Sequence, residues 1–251
     1  MTDDHHTDSA GVPWEGRTFQ PNPHAGDNGE TPADVSEALG AWRDGTGTYS
    51  ALIAAFATNR FLIPLVAHAG DDFDADNPVM EDKIQELSVV TVAGPNGEKV
   101  IPVFTSAAAM KTWNAEARPI PIDAQRVALA AASEHTDRIV VNPGTDSVVI
   151  RRPAVWAMAQ GVDYLAPWES AEVRSETRAL LADVPNLDDV TVIAGDPRST
   201  GAGSDVSLSL TIVSDLDPET VRAVIDEVQA RVSGSELFTS QVDALTLTLS
   251  R

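Results

Sequence analysis

Five histidines, one run of aspartates and one pair of arginines are the side chains here whose types and spacing could do chemistry. His5, His6 and His24 fall in an N-terminal stretch that offers nothing to hold a base or ligand in place. His135 ends a helical pattern, where an imidazolium interacts well with the helix dipole. His68 follows a short apolar run and is the remaining candidate general base, although no nucleophile motif accompanies it. Asp72-x-Asp74-x-Asp76 opens like a calcium loop, which needs glycine at its sixth place and a bidentate glutamate at its twelfth. Those places hold Asn77 and Lys83, so residues 70–82 read as a solvated acidic loop. Arg151-Arg152 is the sole local cluster of positive charge. Guanidinium forks match carboxylate and phosphate, so the pair could grip an anion or bridge to acids of the chain itself. HExxH, GxSxG and GxxxxGK(S/T) do not occur. Gly201-Ala202-Gly203-Ser204 lies between two strand patterns, without the lysine and helix that phosphate binding uses, and reads as a flexible hairpin loop. We expect no catalytic residue, no metal site and no cofactor. His68, Arg151 and Arg152 are the candidate contacts for a ligand or partner.

Composition narrows the function further. The 251 residues carry 38 Asp+Glu against 17 Lys+Arg, a net charge of −21, and no cysteine. The missing cysteine excludes disulfides, thiol nucleophiles, iron–sulfur clusters and cysteine zinc sites. The negative charge argues against nucleic acid and anionic membranes, which depend on clustered Lys and Arg. The charge is uneven: 1 − 7 = −6 to Asp34, 10 − 15 = −5 over 35–160 and 6 − 16 = −10 over 161–251. No apolar run approaches the ~18 to 20 residues of a membrane span. The opening MTDDHHTDSAG lacks the basic and apolar regions of a secretory signal, so the expected location is cytoplasmic.

Two folded units must position these side chains. Residues 1–33, poor in apolar side chains, read as a mostly disordered acidic tail in which Trp14 and Phe19 could dock locally. Residues 34–160 form a mixed unit. Ala38, Leu39 and Trp42 mark a first helix, and Tyr49, Leu52, Ile53 and Phe56 a second over 48–58. FLIPLVA (61–67) reads as a buried strand whose Pro64 requires an edge or bulge. LSVVTV and KVIPVFT flank a Pro-Asn-Gly turn, and Thr105 or Ser106 caps the helix bearing Met110 and Trp113. A helix over 124–134, strands 138–142 and 147–151, and a Pro153-initiated helix complete the unit. The tryptophans at 42, 113 and 156 fall on apolar faces and read as core. Residues 161–169 read as a linker. Residues 170–251 give helix, two strands, a helix started by Asp217-Pro218-Glu219 and a last strand alternating Leu245, Leu247 and Leu249. The expected fold class is α+β, with a small antiparallel sheet and two helices in the second unit, as in ferredoxin-like sandwiches.

YSALIAAFATNRFLIPLVAH, EKVIPVFTS leading into MKTW, and VNPGTDSVVIRRPAVWAMAQG occur in order and together resemble the SseB family, named for enhanced serine sensitivity. The lead-in GRTFQPNPHAGDNGETP is similar to that of actinobacterial members. The resemblance covers about residues 15–160, and 170–251 is similar to the family's C-terminal domain in outline. It implies an α+β N-terminal domain with no established catalytic activity or cofactor, and it supplies no catalytic residues. The family name records a serine-linked growth phenotype, not a mechanism. The expected role is a non-enzymatic binding or regulatory module with a protein partner. The alternative is an amino-acid sensor or an enzyme, its dispersed site gathering His68, Arg151, Arg152 and acids of 71–76 in one concave pocket. A secretion chaperone or assembly adaptor would differ from the first role only in its partner.

Overall fold

Apolar spacing of three and four residues produces the first two helices of the computed structural model, which describes residues 24–65, 91–94, 97–133, 136 and 138–250. Helix α1 (Ala33–Arg43) buries Val35 and Leu39. Helix α2 (Tyr49–Ala57) buries Tyr49, Leu52, Ile53 and Phe56, and the Thr48 hydroxyl accepts the amide of Ala51 as its cap. Burying each such large side chain contributes about 1.5–3 kcal/mol. The docking aromatics Trp14 and Phe19, the loop 70–82, His68 and His135 all lie outside the described residues.

Strand β1 (Arg60–Leu65) pairs antiparallel with β4 (Arg118–Asp123), placing Pro64 opposite Pro119. Leu62 points its N–H away from β4, to the Phe104 carbonyl, and Pro64, two residues on, turns its nitrogen the same way, so its absent N–H breaks no bond of the β1–β4 ladder. No local pattern marks β4 as a strand, because its Arg-Pro-Ile-Pro carries two prolines. A second sheet runs β2 (Val92–Ala93), β3 (Lys99–Val103), β5 (Ile139–Val141), β6 (Val148–Ile150), with β3 and β5 parallel and the other pairs antiparallel. A bridge between Leu62 and Phe104 links the two sheets. Ser106 caps α3 (Ala107–Trp113), whose Met110 is buried and whose Trp113 packs 5.4 Å from Phe104. Helices α4 (Ala124–Ser133) and α5 (Arg152–Gln160) close the unit, and Gly161 ends α5 in the left-handed region at φ 67°.

The end of the segment read as a tail is seated. The Arg60 guanidinium, 7% exposed, meets the Asp27 carboxylate at 2.5 Å and donates 2.6 Å bonds to the carbonyls of Glu30 and Thr105. His24 stands 3.1 Å from Asp123. Within residues 161–169, Ala166 is buried and Trp168 touches the cores of both units, while Val162 and Leu165 stay exposed. The Glu169 carboxylate accepts the amides of Tyr49 (2.8 Å) and Ser50 (3.2 Å) at the start of α2.

The second unit comprises α6 (Ala171–Leu181), β7 (Leu187–Ala194), β8 (Val206–Ile212), α7 (Pro218–Ser233), the short α8 (Glu236–Gln241) and β9 (Leu245–Ser250). Asp217 caps α7 through the amides of Glu219 and Thr220. The sheet order is β7-β8-β9. It is mixed, correcting the antiparallel expectation: β7 opposes β8, but β8 and β9 run parallel. A helical crossover returns the chain to the end where it began, so β9 must run alongside β8. One face buries Val190, Val192, Leu208 and Leu210, while Ser207 faces Thr248 and Thr211 faces Ser250 on the other.

Candidate functional site

Arg151 leaves β6 in extended conformation and Arg152 begins α5, so the pair points from the first unit toward the second. The second unit answers with two aspartates, Asp196 and Asp243. Arg151 is 6% exposed; its Nη2 donates to Asp196 Oδ2 (3.0 Å) and to the Gly203 carbonyl (2.6 Å), and Nη1 lies 3.5 Å from Asp243 Oδ2. Asp243 also takes Arg138 Nη2 at 2.7 Å and lies 3.7 Å from Arg152 Nε. Arg152 donates to the Val242 carbonyl and stacks 5.4 Å over Trp156, which is 41% exposed and not core as its spacing suggested. Arg138 reaches Glu98 as well, at 3.2 Å. Asp205 accepts the amides of Asp243 and Ala244, fixing the turn that presents the Asp243 carboxylate.

The acids of this seam titrate in opposite directions. Burial pushes the Asp196 carboxyl up, but bonds from Thr200, Gly201 and Arg151 outweigh it and hold the group below the ordinary carboxylate value. At Asp205 burial prevails over the two amide donors and raises the carboxyl. Tyr49, whose hydroxyl donates to the Val149 carbonyl, is pushed up by its burial.

The glycine loop, expected to be flexible, is fixed by Asp196 and by β6. Asp196 accepts the Gly201 amide at 2.7 Å and the Thr200 hydroxyl at 3.1 Å, and the Ser199 carbonyl accepts the Val149 amide at 2.7 Å. Gly201 sits at φ +82°, and a Cβ there would lie 2.9 Å from Val149 Cγ2.

Beside this seam opens a cleft of 370 Å³. Leu39, Trp42 and Arg43 come from α1; Thr145, Asp146 and Ser147 from the turn between β5 and β6; Pro197, Arg198 and Thr200 from the fixed loop. The turn holds its shape because Asn142, at φ 52°, accepts the Thr105 amide on its side-chain oxygen. Arg43 Nε lies 3.3 Å from Asp146 Oδ2, with both side chains exposed. Arg198 is exposed and makes no hydrogen bond or ion pair among the described residues. A smaller hollow of 220 Å³ shares Leu39, Arg43, Thr145 and Asp146 and adds Ser106 and Asn142. A third cavity, of 420 Å³ beside α7, has its cation Arg231 engaged by Asp183 and Glu227.

Of the residues singled out from sequence, Arg151 and Arg152 come together in the seam, held by acids of the chain, and neither lines the cleft. His68 lies outside the described residues, as do the acids of 71–76. Arg43 and Arg198 were missed. They are separated by more than 150 positions, and no local pattern marks either. Among the described residues no group of three His, Asp or Glu side chains could hold a metal ion, and no helix is long and apolar enough to cross a membrane. Residues 35–157 match the family model described as the SseB protein N-terminal domain. No curated protein and no solved structure matches the chain.

Proposed function

We propose, from the chain's membership of the SseB family through residues 35–157, that it is a non-enzymatic binding or regulatory module. The observation behind this reading is the seam. Arg138, Arg151 and Arg152 join the two units through Asp196 and Asp243, making of them one continuous body whose junction carries an open cleft. Strong cations used for assembly suit a protein that presents surfaces more than one that reshapes a bound substrate. A protein partner and a cytoplasmic setting belong to the same proposal, and the net −21 disfavours nucleic acid. Affinity purification of the full chain from its native host, followed by mass spectrometry, is expected to return a specific partner. A screen with hydrolase and transferase substrates is expected to return no turnover, and robust turnover lost on substituting His68 would overturn the reading. The cleft favours a second, compatible reading, in which a small molecule regulates the module.

A further inference from the structure

We propose that the cleft between the two units binds a small molecule carrying a single carboxylate on an apolar or aromatic body. This rests on the reading that the chain binds its ligands without transforming them. The ionisable lining of the cleft is Arg43, Arg198 and Asp146, so its charge is 2 − 1 = +1 in a chain of −21. One net positive charge on two planar guanidinium groups matches one carboxylate. A phosphate monoester, with −1.5 to −2 charges, would be set against Asp146 and the acidic surroundings.

The cations are available. Arg60, Arg138, Arg151 and Arg231 are each held by acids of the chain, whereas Arg198 has no such partner among the described residues. The exposed Arg43–Asp146 pair is of the kind that contributes little to stability, so a ligand carboxylate can displace Asp146 from Arg43. Shape agrees with charge. The 370 Å³ volume falls in the range of ligand pockets, about 300–1,000 Å³. Leu39, Trp42, Val148 and Pro197 supply an apolar wall, while the Thr145 and Thr200 hydroxyls already donate to the Asn142 carbonyl and to Asp196. Arg198 stands on a loop fixed by Asp196 and by the Ser199–Val149 bond, which reduces the ordering cost of binding. Arg43 belongs to the first unit and Arg198 to the second, so the bound carboxylate bridges the junction.

The test titrates sodium benzoate into the full chain while the Trp42 indole N–H is followed by NMR, with benzamide and phenyl phosphate in parallel. The expected result is a saturable Trp42 shift with benzoate, with benzamide at least about tenfold weaker and phenyl phosphate no tighter. Arg198→Gln is expected to weaken benzoate about tenfold, Asp146→Asn to strengthen it, and Arg118→Gln, outside the cleft, to leave it unchanged. Absence of a saturable shift, equal affinity in wild type and Arg198→Gln, or tighter binding of phenyl phosphate would each overturn the proposal. Arg198 is exposed and makes no bond among the described residues, so its replacement leaves the fold intact, and an unchanged ligand-free melting temperature verifies this. Turnover of a substrate would overturn the non-enzymatic reading, whereas failure of the benzoate titration would overturn the ligand class alone, so the two failures are told apart.

Discussion

Asp243 illustrates how a single carboxylate can govern the stability of a molecule. It faces Arg138, Arg151 and Arg152 at once, at a site where its own side chain is 11% exposed. Asp243→Ala leaves those guanidinium groups short of a partner in a desolvated seam, and a loss of about 3 kcal/mol in urea denaturation is expected. Arg152→Ala, at a side chain 31% exposed, is expected to cost under about 1 kcal/mol. An equal effect of the two would show that the seam is solvated. The titrating acids set the pH response. Asp27, held low by its bond to Arg60, and Asp196 have folded-state values below those of the unfolded chain. The stability they contribute is therefore complete above the ordinary carboxylate value of about 3.9 and is lost as pH falls through the lowered values. Asp205 works in the opposite sense: its raised value gives stability below the ordinary value that is lost as pH rises through the raised one. The melting-temperature gap between wild type and Asp27→Asn is expected to be widest near neutrality and to narrow as pH falls below the ordinary carboxylate value. A constant gap would contradict the sign.

At the scale of elements, α2 depends on a residue far from it in sequence. Glu169→Ala removes the acceptor of two amides and is expected to destabilise the chain by about 1–2 kcal/mol in the same denaturation assay. Gly201→Ala forces a Cβ against Val149 at positive φ, with an expected cost of about 1–3 kcal/mol and loosening of the loop that carries Arg198. Hydrogen exchange at the Val149 amide reads that loosening directly, and unchanged protection would sink the account. These contacts also mark what the residues alone disclosed. The helices α1, α2, α4, α6 and α7 and the alternating strands were legible, because each exposes its burial pattern within a few residues. Strand β4 was not, since Pro119 and Pro121 mimic a turn until Pro64 is seen opposite Pro119. The direction of β9 depends on the crossover, which no local pattern encodes. The Arg151-Arg152 pair could be seen, and so could the option that it bridges acids. The cleft could not: its two arginines meet only through the docking of one unit on the other.

For the whole molecule, the seam predicts cooperativity. Trp168 packs on both cores and Arg151 is buried by acids from the other unit, so calorimetry of the full chain is expected to show one transition. Two resolved transitions would mean the units unfold independently. Moderate salt is expected to raise the melting temperature, because it screens the repulsion of a −21 chain while the buried pairs are screened little. The Glu169 cap carries a consequence for biosynthesis. Its carboxylate closes α2 on Ser50, 119 residues earlier. At the usual pace of translation, roughly 6 to 24 s pass between the emergence of the helix and that of its cap. Through that interval the nascent N-terminal unit is on the ribosome without its last fastening, and its final locking must wait for the segment that carries Glu169.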